Sequence, residues 1–272
     1  MLTESGGYEL DVDTALAAVG EGRYEGRLTG RWHAASGLNG GYIAAVLLRA
    51  AARTSPRPDP LVMSISYLER PEAGPCEVSV EVLRAGRSHW TALVRLAQER
   101  PRAIATVTFG TRRAPGPGDF QAPAPRLPVA AECVPALRRT GSPLLERLDY
   151  RVDDPDGEFF PSAPESDPGQ TEVTGWVRLA DGRPPDDLAV PLYADCWPPA
   201  VLGRRGLLLD GGVPTIELTV QWRGAVGAGW HLARMRTRNL GGGYLEEDGE
   251  IWDDRGHLVA LSRQLALAST RS

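Results

Sequence analysis

Two stretches of this chain repeat one pattern: a mostly apolar run, then four segments in which apolar and polar positions alternate. The first run, over 42–52, carries a single charge, Arg49. A helix at a protein surface keeps a polar face, so a run this apolar predicts a helix over 40–52 that is enclosed on most sides. Thr54-Ser55-Pro56-Arg57-Pro58 ends it. Segments at 61–68, 76–84, 89–98 and 103–111 follow, rich in Val, Ile and Thr, with turn residues at 70–75 and 85–86. Their period near two predicts strands of an antiparallel meander. The second half returns to the same order about 154 residues later. Leu192-Tyr193-Ala194-Asp195 precedes a Pro/Ala/Val/Leu stretch, and strands are expected at 215–222, 230–238, 244–252 and 258–267. A repeat of this length is one folded unit duplicated, since solenoid modules run to roughly 20–50 residues. The predicted class is α+β, with a sheet wrapped on a buried helix in each half.

The flanking segments complete the plan. A short helix is expected over 11–19 and a strand over 24–32, with 171–179 as that strand's counterpart in the second half. Residues 113–135 are rich in Pro and Ala and read as a semi-rigid extended connection. A short helix is expected near 143–148, and Asp153-Asp154-Pro155-Asp156-Gly157 reads as a solvated turn without the ligand ladder of a calcium loop. Three units follow: an N-terminal repeat at 1–112, a connecting segment at 113–169 and a C-terminal repeat at 170–272.

Composition narrows the chemistry. Of 272 residues, 42% are hydrophobic and 24% charged, which is ordinary for a globular chain with ample core. No stretch reaches the roughly 20 apolar residues of a membrane span, and residues 1–7 lack the basic and apolar regions of a signal peptide. Cys76, Cys133 and Cys196 have no metal-ligand spacing and fit a reducing cytoplasm, with Cys196 of interest only because it adjoins Asp195. A net charge of −5 argues against a nucleic-acid partner. All 30 basic residues are Arg, which removes Schiff-base, phosphate-loop and general-base lysines from consideration. His33, His89, His231 and His257 are isolated, so no metal site and no cofactor are expected. No Gly-x-Ser-x-Gly elbow occurs.

Several short motifs, in order, resemble the type II acyl-CoA thioesterases and their thioesterase-like relatives. In the first half these are Asn39-Gly40-Gly41-Tyr42-Ile43-Ala44-Ala45, Ser66-Tyr67-Leu68-Glu69-Arg70-Pro71 and Leu83-Arg84-Ala85-Gly86-Arg87-Ser88. In the second they are Leu192-Tyr193-Ala194-Asp195, Pro214-Thr215-Ile216-Glu217-Leu218 and Asp254-Arg255-Gly256-His257-Leu258-Val259-Ala260 through Gln264. The resemblance implies a double hotdog, two antiparallel sheets each wrapped around a central helix. It implies an acyl-CoA substrate, a place in lipid metabolism and a catalytic set at Asp195, Thr215 and Gln264. Exposed sheet edges would make a homo-oligomer, a dimer of double hotdogs, the expected assembly. The sequence departs from the family at Trp197-Pro198-Pro199 after the Asp, and at Trp222 where His more usually precedes Arg.

The chemistry such a set offers is hydrolysis. Asp195 would take a proton from water that Thr215 and Gln264 hold, while N–H groups at Asn39, Gly40 and Gly41 receive the developing oxyanion. Each residue also has a structural reading. Asp195 is suited to N-cap a helix begun by Pro198 and Pro199. Thr215 is ordinary strand composition, Gln264 can lie at a sheet edge, and the two glycines can serve close packing. Two other functions stay open. His33-Ala34-Ala35-Ser36-Gly37 with Asp195 would make a hotdog dehydratase of 3-hydroxyacyl thioesters, and a cleft without turnover would make an acyl-thioester binding protein.

Overall fold

The computed structural model describes residues 7–136, 141–160, 169–205, 207, 209–210 and 212–270. Thirteen strands form one hydrogen-bonded sheet. In chain order they are β1 (Leu16–Gly20), β2 (Arg23–Leu28), β3 (Asp59–Tyr67), β4 (Gly74–Ala85), β5 (Trp90–Ala97), β6 (Pro101–Gly110), β7 (Val134–Pro135), β8 (Leu148–Val152), β9 (Glu172–Leu179), β10 (Thr215–Trp222), β11 (His231–Gly241), β12 (Tyr244–Asp253) and β13 (Leu258–Leu267). Across the sheet the order is β1-β2-β4-β5-β6-β3-β10-β13-β12-β11-β9-β8-β7. The helices are α1 (Glu9–Asp13), α2 (Gly40–Thr54), α3 (Pro143–Glu146) and α4 (Ala189–Asp195).

The two sheets, which the resemblance places side by side, run on as one. The halves meet where β3 pairs antiparallel with β10, from Glu217 opposite Ser66 to Gln221 opposite Val62. A hydrogen bond of 2.8 Å between the Ser64 and Thr219 hydroxyls spans this seam, while Met63, Ile65, Leu218 and Val220 are buried. Pairing two edge strands satisfies backbone groups that would otherwise template aggregation.

Helix α2 forms as its composition predicts. Asn39 caps it, the side chain accepting from the Tyr42 N–H at 2.9 Å, and every residue from Gly41 to Ala51 is buried. Trp90, Ala92, Val94 and Leu96 of β5 alternate with more exposed residues and belong to the same core. Arg49, the one charge in the run, is held by the Thr14 hydroxyl and the Asp11 carboxylate, each at 2.8 Å. Helix α4 is its counterpart in the second half but has only seven residues. Pro191 lies in its first turn, where a missing N–H costs nothing, and Pro198-Pro199 prevents continuation beyond Cys196. Asp195 is consequently the last residue of a helix and not the N-cap of the next one. The stretch after it makes only a short 3-10 turn, Ala200–Gly203.

Two other expectations change. The helix expected over 11–19 stops at Asp13, and the chain enters β1 at Leu16. The connecting segment adds strands β7 and β8 to the outer edge beside β9. Its proline-rich part packs on the second half: Ala130 and Cys133 cluster with Trp176, Leu232 and Trp252, and the Trp176 indole donates to the Pro128 carbonyl at 2.9 Å.

Candidate active site

Asp195 sits where the two halves touch. Its Oδ2 accepts from the Gly41 N–H at 2.9 Å and from Asn39 Nδ2 at 2.8 Å, and the Gly40 N–H also bonds to the carboxylate. Asn39 Nδ2 further donates to the Asp195 carbonyl at 2.7 Å. The carboxylate thus occupies the N-terminus of α2, where unpaired N–H groups and the helix dipole favour an anion. The glycines are needed for this approach. A Cβ on Gly41 would lie 2.3 Å from the Pro191 carbonyl oxygen, and one on Gly40 would meet the Tyr67 hydroxyl and Asp195 Oδ2. Tyr67 adds a clamp, its hydroxyl donating to the Gly40 carbonyl at 2.8 Å.

Burial pushes the Asp195 carboxyl up to about 6, against the N–H donors and the Thr215 hydroxyl, which pull it down. The residue keeps a partly accessible face, through which solvent moderates that rise. Neighbouring Cys196 is pushed up to about 12 by its burial and stays a thiol.

Thr215 and Gln264 complete the set that the sequence placed apart. The Thr215 hydroxyl adjoins the Asp195 carboxylate and donates to Gln264 Oε1 at 3.0 Å. Gln264 is buried, so its amide needs partners on both ends, and the second partner is Glu247. Gln264 Nε2 donates to Glu247 Oε1 at 3.1 Å, while Glu247 Oε2 accepts from the Ala200 N–H at 2.6 Å and the Thr237 hydroxyl at 3.4 Å. Burial lifts the Glu247 carboxyl to about 7, with the Asp195 charge adding to the rise. Sequence reasoning placed Glu247 in the strand expected at 244–252 but did not single it out. Its signal was the alternation of β12, which puts Glu247 on the buried side with Leu245 and Ile251.

All six predicted site residues are thus drawn together. The oxyanion role expected of the glycines is altered, because the Gly40 and Gly41 N–H groups are already committed to Asp195. His33 lies elsewhere in the bonding pattern: its carbonyl accepts from the Ser142 hydroxyl at 2.6 Å. Among the described residues, no hydrogen bond or ion pair joins it to Asp195.

Comparison with known proteins identifies the family. Residues 28–110 match the acyl-CoA thioesterase N-terminal domain, and residues 119–268 match the acyl-CoA thioesterase C-terminal domain. The chain belongs to the acyl-CoA thioesterase family. Relatives of this thioesterase-family chain include an uncharacterized protein of Mycobacterium tuberculosis, 27% identical over 271 residues that cover 90% of each chain. Among solved structures, a protein from Thermobifida fusca YX assigned provisionally to thioesterase II is 28% identical, with a TM-score of 0.85 over 97% of this chain and 99% of its own. A hot dog fold protein of unknown function from Alicyclobacillus acidocaldarius superposes with a TM-score of 0.87 at 22% identity, over 98% and 100%. The acyl-CoA thioesterase II TesB2 from Mycobacterium marinum gives 0.72 at 21%, over 97% and 99%. The last two likenesses show the hotdog fold. Among the described residues, no helix is long and apolar enough to cross a membrane.

Proposed function

We propose that this chain is an acyl-CoA thioester hydrolase built from two fused hotdog units, with Asp195 as the base that activates water. The observation that carries this reading is the Asp195 carboxylate, contributed by α4 and seated on the N-terminus of α2 beside Thr215 and Gln264. Oδ2 is held by Asn39 and Gly41, and in this reading Oδ1 receives the water proton. With a carboxyl raised to about 6, Asp195 is ionised at neutral pH yet more basic than an ordinary aspartate.

In the step, the water oxygen bonds to the thioester carbonyl carbon as its proton passes to Asp195. The tetrahedral species then collapses, the C–S bond breaks, and the proton returns to the departing thiolate. A positioned base of this kind is worth ~10²–10⁴-fold. The Asn39, Gly40 and Gly41 donors act first as a clamp on Asp195, and a substrate carbonyl oxygen reaching the helix N-terminus competes with it for their N–H groups.

The test is a panel of acyl-CoA thioesters of varied chain length with detection of free thiol, on wild type and Asp195→Asn. Thiol release that falls at least ~10²-fold in the variant supports the assignment. Equal rates would remove Asp195 from the chemistry. Binding without turnover in wild type would make this an acyl-thioester binding protein, and an enoyl product with intact CoA would make it a dehydratase.

A further inference from the structure

Glu247 presents a problem the hydrolytic reading leaves unsolved: why a carboxylate is buried behind Gln264. It is 4% exposed, and it stands directly opposite Gln264 on neighbouring strands β12 and β13. An inward carboxylate in a sheet core is costly and is replaceable by an apolar residue unless its charge or its acceptors are used.

Its hydrogen bonds have a fixed direction. The Ala200 N–H is a backbone donor that cannot be reversed, and it occupies Glu247 Oε2 together with the Thr237 hydroxyl. Above pH 7, where the carboxyl is ionised, it has no proton to give, so Gln264 turns its NH2 toward Oε1. The Gln264 carbonyl oxygen then points the other way, to Thr215. Thr215 has one hydroxyl proton, and both Gln264 Oε1 and the Asp195 carboxylate compete for it. The site is therefore short of protons and rich in acceptors. A water molecule brings two protons, which these acceptors take, and its lone pair is left free for a carbonyl carbon. Were Gln264 reversed, its NH2 would donate toward Thr215 and the water and occupy that lone pair.

We propose that Glu247 is a positioning residue for the hydrolytic site: its carboxylate locks the Gln264 amide with the carbonyl oxygen toward Thr215, so that the attacking water meets acceptors only. This rests on the hydrolytic role of Asp195. Glu247 acts through Gln264 and touches no reacting atom. The ionisable group whose charge acts on it, among the described residues, is Asp195.

The test uses Glu247→Gln, which keeps size and packing but reverses the relay. The fixed Ala200 N–H draws the new side chain's carbonyl oxygen, its NH2 faces Gln264, and Gln264 turns over. The expected result is a loss of ~10–10²-fold in kcat with KM within about twofold, as for a small misplacement at the reacting centre. Adding Gln264→Glu restores an acceptor next to Thr215 and should recover most of that loss at alkaline pH. Rates for Glu247→Gln within twofold of wild type would overturn the proposal, as would failure of the double variant to recover. A second readout needs neither turnover nor a folded variant. In wild-type protein labelled with 15N-glutamine, the Gln264 side-chain NH2 should show stronger contacts to the Glu247 γ-methylene, whose carboxylate it donates to, than to the Thr215 methyl. The reverse pattern would refute the lock directly. If wild type hydrolyses no thioester but the amide is oriented as described, the hydrolytic reading fails and the lock stands.

Discussion

The buried Glu247 makes a quantitative demand on stability. Its carboxyl rises from an ordinary 4.5 to about 7 on folding. Between those values the folded chain holds a proton that the unfolded chain has lost. Stability from this group is thus fully present below pH 4.5 and is lost as pH climbs through 7. At about 1.4 kcal/mol for each pH unit between the two values, the loss approaches about 3 kcal/mol by pH 8. Asp195, raised from 3.8 to about 6, works in the same direction at lower pH. Glu247→Gln removes the titration while leaving the volume unchanged, so its unfolding free energy should fall less between pH 5 and pH 8. The two falls should differ by about 2.5 kcal/mol, somewhat more because Asp195 loses a like-charged neighbour. Urea unfolding followed by tryptophan fluorescence at several pH values measures this, with the seven tryptophans as reporters. Parallel curves for wild type and variant would show that Glu247 is not held as a neutral acid below pH 7, and the argument from its burial would collapse.

Gly41→Ala should cost about 1–3 kcal/mol, since the new Cβ would meet backbone atoms of Pro191 and Leu192 at 2.3 and 2.8 Å and must push α2 and α4 apart; calorimetry would show the fall in Tm. Asn39→Ala removes the α2 cap and both bonds to Asp195, at a cost of about 1–2 kcal/mol, and should shift the acid limb of hydrolysis to higher pH because the Asp195 anion loses a donor. A pH–rate midpoint unmoved by that change would count against Asp195 as the titrating base. Arg183→Met strips a buried guanidinium from Asp11 and Asp186 and leaves two carboxylates facing each other, for a loss of about 3–5 kcal/mol. The exposed Arg95–Glu81 pair offers the contrast, worth at most about 1 kcal/mol when Arg95→Ala is measured by urea unfolding.

What the sequence conveyed and what it withheld divide along physical lines. Strands and the long helix were legible because alternation and an all-round apolar run are local signals, and β10 and β13 fall where they were expected. The side-by-side joining of the sheets came only from the resemblance, and which strands pair was not legible, because β3 and β10 carry no mark that distinguishes an inner position from an outer one. The environment of Asp195 was misread for a different reason. Asp before two prolines is a sound helix-start pattern, but Pro191 and the pair Pro198-Pro199 bracket a short helix whose last residue is Asp195. Glu247 was hidden by its neighbours, since two further acids beside it mask a buried position that only the full strand alternation reveals.

That misreading bears on why the proposed site would form only once in the chain. In the first half, α2 runs for 15 residues and offers its N-terminus, with Asn39, Gly40 and Gly41 as donors but no carboxylate of its own. In the second half, α4 is half that length, and its C-terminal residue supplies the carboxylate. A C-terminal turn is an unfavourable place for an anion by the helix dipole, and the residue is tolerated there because the N-terminus of α2 lies against it. Neither half would stabilise Asp195 alone: α4 without α2 repels it, and α2 without α4 has nothing to hold. Thr215, Gln264 and Glu247 all come from the second half, so the polar chain runs from the seam into that half only. Separating the two halves should therefore remove the donor set that keeps Asp195 ionised near neutral pH, and with it the basis for water activation.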